Sequence, residues 1–559
     1  MRDRRRLILI PLAALLAVLP LMVQGASCGH DFGFHVRNWL EVGSQWKQAV
    51  LMPHWDFTAA WDSGGPRFVF YPPLSWTIGA ALGLFLPWNA VPTVFIWIAL
   101  AACGLTMHRL ACEWTTANNA LIAACFYMVH PYMLFTFYER AAYAELLAAA
   151  WIPLLFLGIL RSRVTASAIA LPICLLWLTN DPAAVIGCYS FALLGLMRVG
   201  FMVRRERGVR ARIREAATIA AGVVLGIGLA GFYIVPATVE QHWVQINMPF
   251  MRGVRYQDNF AFRSIGDVSH DAILRTASLC GVALIAASAI FFAIGFYMCR
   301  PNAMRTSSEA EVRPRTTLAA LAVLTCVVAF LLTSPSALLW RQVPELKYLQ
   351  FPWRFCAILG ATAAALLALA MRKLRLHVFA AAAIAMALTL ASTLVGDHTF
   401  RQPCYTAFAL PAIVRDFQHG GHYDPTDEYT PAGADALAVR HTNPIYWLAV
   451  HPTDPAPATA DNYSINLQRR LHFTVRSRAA GFVVLSLRDY PAWRITVNGA
   501  NLVNPPRRTD GLIALPIARG VSRIDVAYAL TPDQAAGWVV TAISAALLLL
   551  VWWRRKRAV

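Results

Sequence analysis

Trp538-Val539-Val540-Thr541-Ala542-Ile543-Ser544-Ala545-Ala546-Leu547-Leu548-Leu549-Leu550-Val551-Trp552-Trp553 runs without a charge into Arg554-Arg555-Lys556-Arg557. An apolar stretch closed by four cations reads as a membrane-spanning helix whose end stays cytoplasmic, because basic flanks resist transfer across a bilayer. The polar region before it, about 397 to 535, is then expected on the opposite face. Working backwards, apolar segments at 378–396, 355–371, 316–334, 273–298, 218–236, 183–200, 164–179, 144–160 and 116–134 alternate in direction. Their arginine-bearing connections fall inside, whereas 237–272, 335–352 and Phe135–Tyr143 fall outside. Counted forward from Arg2–Arg6, the segments 74–87 and 90–107 break this alternation by one. Leu74–Leu86 is too short to span comfortably, so it is expected to lie in the interface or to re-enter.

Composition agrees with this map. The chain has 559 residues, 58% hydrophobic and 14% charged, with a mean hydropathy of +0.50. It reads as a polytopic α-helical membrane protein of about 12 to 13 spanning helices. The net charge of +19 gathers beside apolar segments, where it sets topology and attracts anionic lipid; nucleic acid is not an expected partner. Leu7–Val23 follows a basic start, and Gly25-Ala26-Ser27 before Cys28 lacks the aliphatic residue of a lipoprotein signal, so an uncleaved anchor is expected. Most of the eleven cysteines lie in apolar segments as small core residues. Cys28 and Cys404 fall outside them, a pair that a disulfide could join.

The last polar region differs in kind. Leu471–Arg476, Phe482–Leu487, Arg494–Val497 and Ile524–Tyr528 alternate with period two, and Asn498-Gly499 is a favourable hairpin turn. A small β-sandwich is expected there. The organisation is thus a transmembrane domain over 1–396 with a first extracytoplasmic loop at 25–72, an extracytoplasmic domain over 397–535 that is β-rich from about 465, and a final helix with a basic tail over 536–559. Arg401–Asn466, rich in Pro, Gly, Asp and His, is expected to be irregular.

Chemistry concentrates in the first loop and at the outer helix ends. Gly29-His30-Asp31-Phe32-Gly33-Phe34-His35 opens the loop, and Phe70-Tyr71-Pro72-Pro73-Leu74 closes it. Tyr138-Glu139-Arg140-Ala141-Ala142-Tyr143-Ala144-Glu145 and Phe351-Pro352-Trp353-Arg354-Phe355 stand at outer boundaries. A carboxylate at the edge of an apolar helix, such as Glu145, must be paired or face water. Either it serves a site or it forms an ion pair with Arg140. Arg354 and Lys347, beside a helix start, suit a phosphate ester; snorkelling to lipid headgroups is the competing reading. Asp31 reads either as a reacting carboxylate or as a helix cap. His35, four residues on, would share its face and could orient it or bind phosphate. Asp56 and Asp62, flanking Trp61, could supply a second carboxylate or a ligand for a divalent metal, without the spacing of a paired metal motif; no other cofactor is indicated.

Taken together, these motifs resemble the GT-C superfamily of integral-membrane glycosyltransferases. More narrowly, the chain is similar to the bacterial membrane family named 6-pyruvoyl-tetrahydropterin synthase-related and to YfhO-like proteins, whose terminal β-domain Tyr490-Pro491-Ala492-Trp493-Arg494-Ile495-Thr496-Val497-Asn498-Gly499 resembles. The resemblance implies inverting transfer of a sugar from a polyprenyl-phosphate carrier to a cell-envelope glycan, glycolipid or polymer, at the outer face of the bacterial cytoplasmic membrane. It gives Asp31 the role of general base. His35 and Glu145 join it as catalytic candidates, and Arg354, Lys347, Arg140, Glu139 and Tyr71 as substrate- or phosphate-binding ones. Tyr490 and Trp493 are the candidate contacts of the β-domain with acceptor, although an ordinary sandwich core explains Trp493 equally well. A flippase for a lipid-linked saccharide and a noncatalytic envelope scaffold are the alternatives. The first would favour paired discontinuous helices in two related halves, which the sequence does not display.

Overall fold

The computed structural model describes residues 7–202, 208–246, 248–299, 309–406, 409–419, 429–440, 442–457, 470–502 and 504–557. Arg2–Arg6, the connection arginines Arg204, Arg205, Arg207, Arg300 and Arg305, and Asn466 lie outside the described residues. Among them, eight helices are long and apolar enough to cross a membrane: Val91–Ala111, Tyr143–Leu160, Asp181–Phe201, Val268–Met298, Pro314–Leu331, Pro352–Ala370, Val378–Phe400 and Pro532–Arg554. Two bent pairs and three shorter apolar helices, Leu9–Gln24, Pro73–Phe85 and Ala166–Trp177, complete the membrane half. The protein is a polytopic helical membrane protein with a C-terminal β-domain.

Each bend has a local cause. Ala117–Val129 and Pro131–Tyr138 meet at 43°. His130 Nδ1 there accepts the Met133 N–H, and Pro131 starts the second helix at a position where its missing donor is harmless. This second helix corrects the expectation that Phe135–Tyr143 forms an outer loop. Helix continues through Phe135, Phe137 and Tyr138, all fully buried, and only Glu139–Ala142 connects it to the next. Gly208–Leu229 and Gly231–Trp243 meet at 73°. The Thr541 hydroxyl accepts the Phe232 N–H in that break, so a side chain from the last helix replaces the lost helical partner.

Two faces can be told apart. Arg198 gathers the carbonyl oxygens of Ile159 and Arg161 at 2.6 and 2.8 Å, while Thr115 and Asn118 bond the carbonyls of Met371 and Leu376. These connections form a basic face. The opposite, loop face carries the first polar loop. Pro73–Phe85, with 13 residues, reaches only about 20 Å against the roughly 30 Å of a hydrocarbon core. Its start is tied to Leu178 through the Leu74 N–H, and the following helix opens with Phe95 stacked on loop residue Trp39. Its start therefore meets the loop face.

The β-domain is a sandwich. One sheet holds β1 (Tyr446–Ala449), β3 (Gly481–Arg488) and β6 (Leu512–Ile517); the other holds β2 (Arg470–Ser477), β7 (Gly520–Tyr528), β4 (Trp493–Val497) and β5 (Ala500–Asn501), all antiparallel. Asn498 and Gly499 both take positive φ, 52° and 81°, the twist that lets β4 return directly as β5. Trp493 and Tyr490 are buried, not displayed to an acceptor. They pack with Tyr528 around Trp55 of the first loop, whose ring lies 5.2 Å from Trp493 and 5.5 Å from Tyr490. Tyr490 also donates to Glu240, a carboxylate that further receives Thr531 and Gln534. The sandwich is thus seated on the membrane half by aromatic packing and one saturated carboxylate.

Candidate active site

A backbone contact builds the site. Gly29 lies so close to the Glu139–Ala141 segment that a Cβ on it would stand 2.4 Å from the Glu139 carbonyl oxygen. Only glycine permits that approach. It lets the Asp31 N–H bond the Arg140 carbonyl at 2.8 Å, so the first loop is laid against the turn between two membrane helices. Ala141 holds a left-handed conformation, φ 50°, in that turn, a cost of order 1 kcal/mol that the surrounding packing offsets. Ser27 and Gln402 tie the same loop to the segment after Val378–Phe400, and Cys28 and Cys404 are joined by a disulfide.

Beside this contact opens a cavity of ≈ 630 Å³ on the loop face. Asp31, His35, Tyr71, Arg140, Glu145 and Arg354 all line it. Asp31 precedes the helix Phe32–Lys47, yet its side chain makes no cap hydrogen bond, and 44% of that side chain is exposed. The carboxylate is therefore not consumed by capping. Its nearest cation, Arg140, stands 3.8 Å away.

Arg140 is held from three sides. Its guanidinium pairs with Glu145 at 2.6 Å, faces Asp31 and lies 4.6 Å from the centre of the Trp353 ring. Glu145 receives the Tyr132 hydroxyl on its other oxygen and has Arg354 at 3.8 Å. Arg354 donates to the Leu349 carbonyl at 2.8 Å and stacks on Phe351. One carboxylate thus spaces two guanidiniums at the cavity wall, joining the two sequence readings of Glu145: it is an ion pair, and it faces the cavity.

One of the two roles expected of His35, holding phosphate as a cation, is closed to it. It sits one turn beyond Asp31, but its ring is buried among Trp39, Tyr71 and Tyr143, with Tyr143 5.3 Å away. Burial lowers its pKa to about 4, against the raising effect of Asp31. It is therefore neutral at pH 7 and shapes the wall instead of holding phosphate as a cation.

Other expected residues lie apart from the lining. Lys347 places its ammonium over Tyr348, outside the cavity. Glu139 accepts a hydrogen bond from Gln402 at 2.7 Å and supports the loop seam. Asp56 is buried against Arg67 at 2.6 Å and accepts from Thr58, while Asp62 lies in a left-handed turn, φ 62°. Among the described residues no three His, Cys, Asp or Glu side chains gather as a metal-ligand group. Asp56, one of the two candidate metal ligands, is committed to Arg67.

The cavity also takes Asp181, from the Asn180-Asp181-Pro182 segment that the sequence reads chiefly as an outer turn and secondarily as a site, and Asn259, His270, Gln350 and Tyr429, which the sequence did not place at a site. His270 bonds Asn259 and Asp271 at the start of Val268–Met298. His270-Asp271 at the boundary of a long apolar segment was the available signal; Tyr429 arrives from a stretch without periodicity.

Residues 68–402 match the family model described as 6-pyruvoyl-tetrahydropterin synthase related domain, membrane protein. The chain belongs to this family. The family region contains Tyr71, Arg140, Glu145, Asp181 and Arg354, while Asp31 precedes it and the β-domain follows it. No curated protein sequence matches the chain. Among solved structures it is similar to a mutant of the arabinofuranosyltransferase AftD from Mycobacteria, with 16% identity and a TM-score of 0.41 over 72% of this chain. The chain spans only 28% of that protein's length. It is also similar to ArnT from Cupriavidus metallidurans bound to undecaprenyl phosphate, with 12% identity and a TM-score of 0.27, covering 70% of this chain and 87% of that one. Neither superposition is close enough to transfer a role.

Proposed function

We propose that this member of the 6-pyruvoyl-tetrahydropterin synthase related membrane family is a GT-C-type glycosyltransferase, moving a sugar from a polyprenyl-phosphate carrier to an envelope glycan, glycolipid or polymer on the outer face of the bacterial cytoplasmic membrane. The observation that carries this reading is the gathering, on one cavity, of an uncapped carboxylate and two guanidiniums spaced by Glu145. Asp31 takes the acceptor hydroxyl proton as the acceptor oxygen attacks the anomeric carbon. The bond from that carbon to the carrier phosphate breaks, and the phosphate leaves with both electrons toward Arg354 and Arg140. Below Arg354 and Glu145 runs a narrow apolar crevice lined by Ala149, Ile152, Ala183, Ile186 and Ala357. At ≈ 10 Å³ it admits an isoprenoid only if the helices part.

The test is transfer from radiolabelled polyprenyl-phosphate sugars in membranes containing wild type, Asp31→Asn or Arg354→Ala at matched expression. Asp31→Asn is expected to lower transfer about 10²- to 10⁴-fold, the usual worth of a general base. Transfer persisting in both variants rejects the site assignment. Absence of transfer with every donor, together with carrier movement across the bilayer, favours a flippase instead.

A further inference from the structure

Asp181 lines the same cavity, but its contacts do not suit a carboxylate. Tyr233 Oη stands 2.6 Å from Asp181 Oδ2 and 2.9 Å from the Phe70 carbonyl oxygen. A phenol has one hydrogen, and a peptide carbonyl has none to give. If Tyr233 donates to an ionised Asp181, the carbonyl contact sets two acceptors against each other. Donation to the carbonyl leaves the same conflict at Asp181, at the shorter distance. Both contacts are full two-centre hydrogen bonds, instead of one phenol hydrogen divided between two acceptors, in one arrangement: Asp181 carries the proton and donates to Tyr233 Oη, and Tyr233 donates to Phe70. Asp181 Oδ1 then remains a neutral carbonyl acceptor, buried and without a protein partner. An unmet buried acceptor is costly, typically about 1–3 kcal/mol, and a ligand donor relieves it. Tyr71 and Tyr429 stand on the same cavity wall.

We propose that Asp181 is a neutral carboxyl whose free oxygen recognises a hydroxyl of the transferred sugar, leaving Asp31 as the group that takes the acceptor proton. This rests on the glycosyl-transfer reading. Asp181 is a specificity residue: it selects a sugar bearing a hydroxyl at the position it meets.

The experiment compares full-length wild type, Asp181→Asn and Asp181→Ala by infrared spectroscopy and by transfer kinetics. Asparagine reproduces the neutral carboxyl, since its amide donates to Tyr233 and its oxygen still accepts. The expected result is a protonated-carboxyl band in wild type that vanishes in Asp181→Asn, transfer by Asp181→Asn within about threefold of wild type, and about a tenfold loss of kcat/KM in Asp181→Ala, mostly through KM. A spectrum in which Asp181→Asn removes no such band overturns the proposal whatever the activity. So does loss of transfer in Asp181→Asn as complete as in Asp31→Asn. A wild type that shows the band but transfers no sugar rejects the transfer reading and the hydroxyl role with it, while the proton assignment stands.

Discussion

Asp31 and Asp56 sit in the same polar loop and lead opposite lives. Asp56 has a side chain 1% exposed, its oxygens bound by Arg67 at 2.6 Å and by Thr58, and Arg67 is further fixed by Asn38 at 2.9 Å. Asp31 has a side chain 44% exposed and a cation no nearer than 3.8 Å. A short, dry pair is committed to holding the loop, because removing either partner strands a buried charge. An open carboxylate in water contributes little to folding and stays available to a ligand. Distance and exposure together therefore separate fold-holding charge from reaction-ready charge, where residue type alone does not.

The largest effect that would test this contrast is in Arg67. Arg67→Met is expected to cost about 3–5 kcal/mol of stability, because it leaves Asp56 buried and uncompensated beside Glu41. Asp31→Asn, followed by the same thermal unfolding in detergent, should stay within about 0.5 kcal/mol of wild type. Equal losses in the two variants would erase the distinction.

Next comes Gly29→Ala, which drives a methyl group into the Glu139 carbonyl and separates Asp31 from Arg140. About a 10²-fold loss of transfer is expected, as for a misplacement of roughly 1 Å, with only about 1–3 kcal/mol of destabilisation. A fully active Gly29→Ala protein would show that the loop seam does not set the geometry.

A smaller effect follows from Glu41, which accepts from Gln45 and from the Phe57 N–H. Burial, reinforced by the charge of Asp56, raises its pKa from 4.5 to about 8. The folded protein then binds a proton that the unfolded chain has released, so stability falls as pH rises from about 4.5 to 8. Glu41→Gln should flatten that slope in unfolding midpoints measured across this range. Smallest of all, Lys347→Ala should leave transfer unchanged and stability within about 0.5 kcal/mol, since Lys347 lies outside the cavity lining.

Much of this was legible in the sequence, and the remainder has identifiable reasons. Apolar runs and basic flanks marked the spans, period two marked β2, β3, β4 and β7, and Asn498-Gly499 marked its turn, because each depends on local pattern. The bend at Ala230 was not legible, because it depends on Thr541 arriving from the last helix. Arg354 and Lys347 looked alike as cations near a helix start; the packing of residues 346–355 brings one to the cavity and the other to Tyr348. Whether Asp31 caps its helix turned on a side-chain rotamer, which no spacing encodes. His35 shared the face of Asp31 as its spacing required, but the aromatic shell that keeps it neutral comes partly from Tyr143, distant in sequence.

The Cys28–Cys404 link closes a loop of 376 residues, and so bears on the order of biosynthesis. Asp31 leaves the ribosome early, but the partner that clasps its loop is made only after every helix lining the cavity has been synthesised. A nascent chain thus carries its first loop unfastened through most of its insertion. Thiol oxidation is a late assembly step, and a reductant added during synthesis would act on the shape of the site more than on the bundle around it.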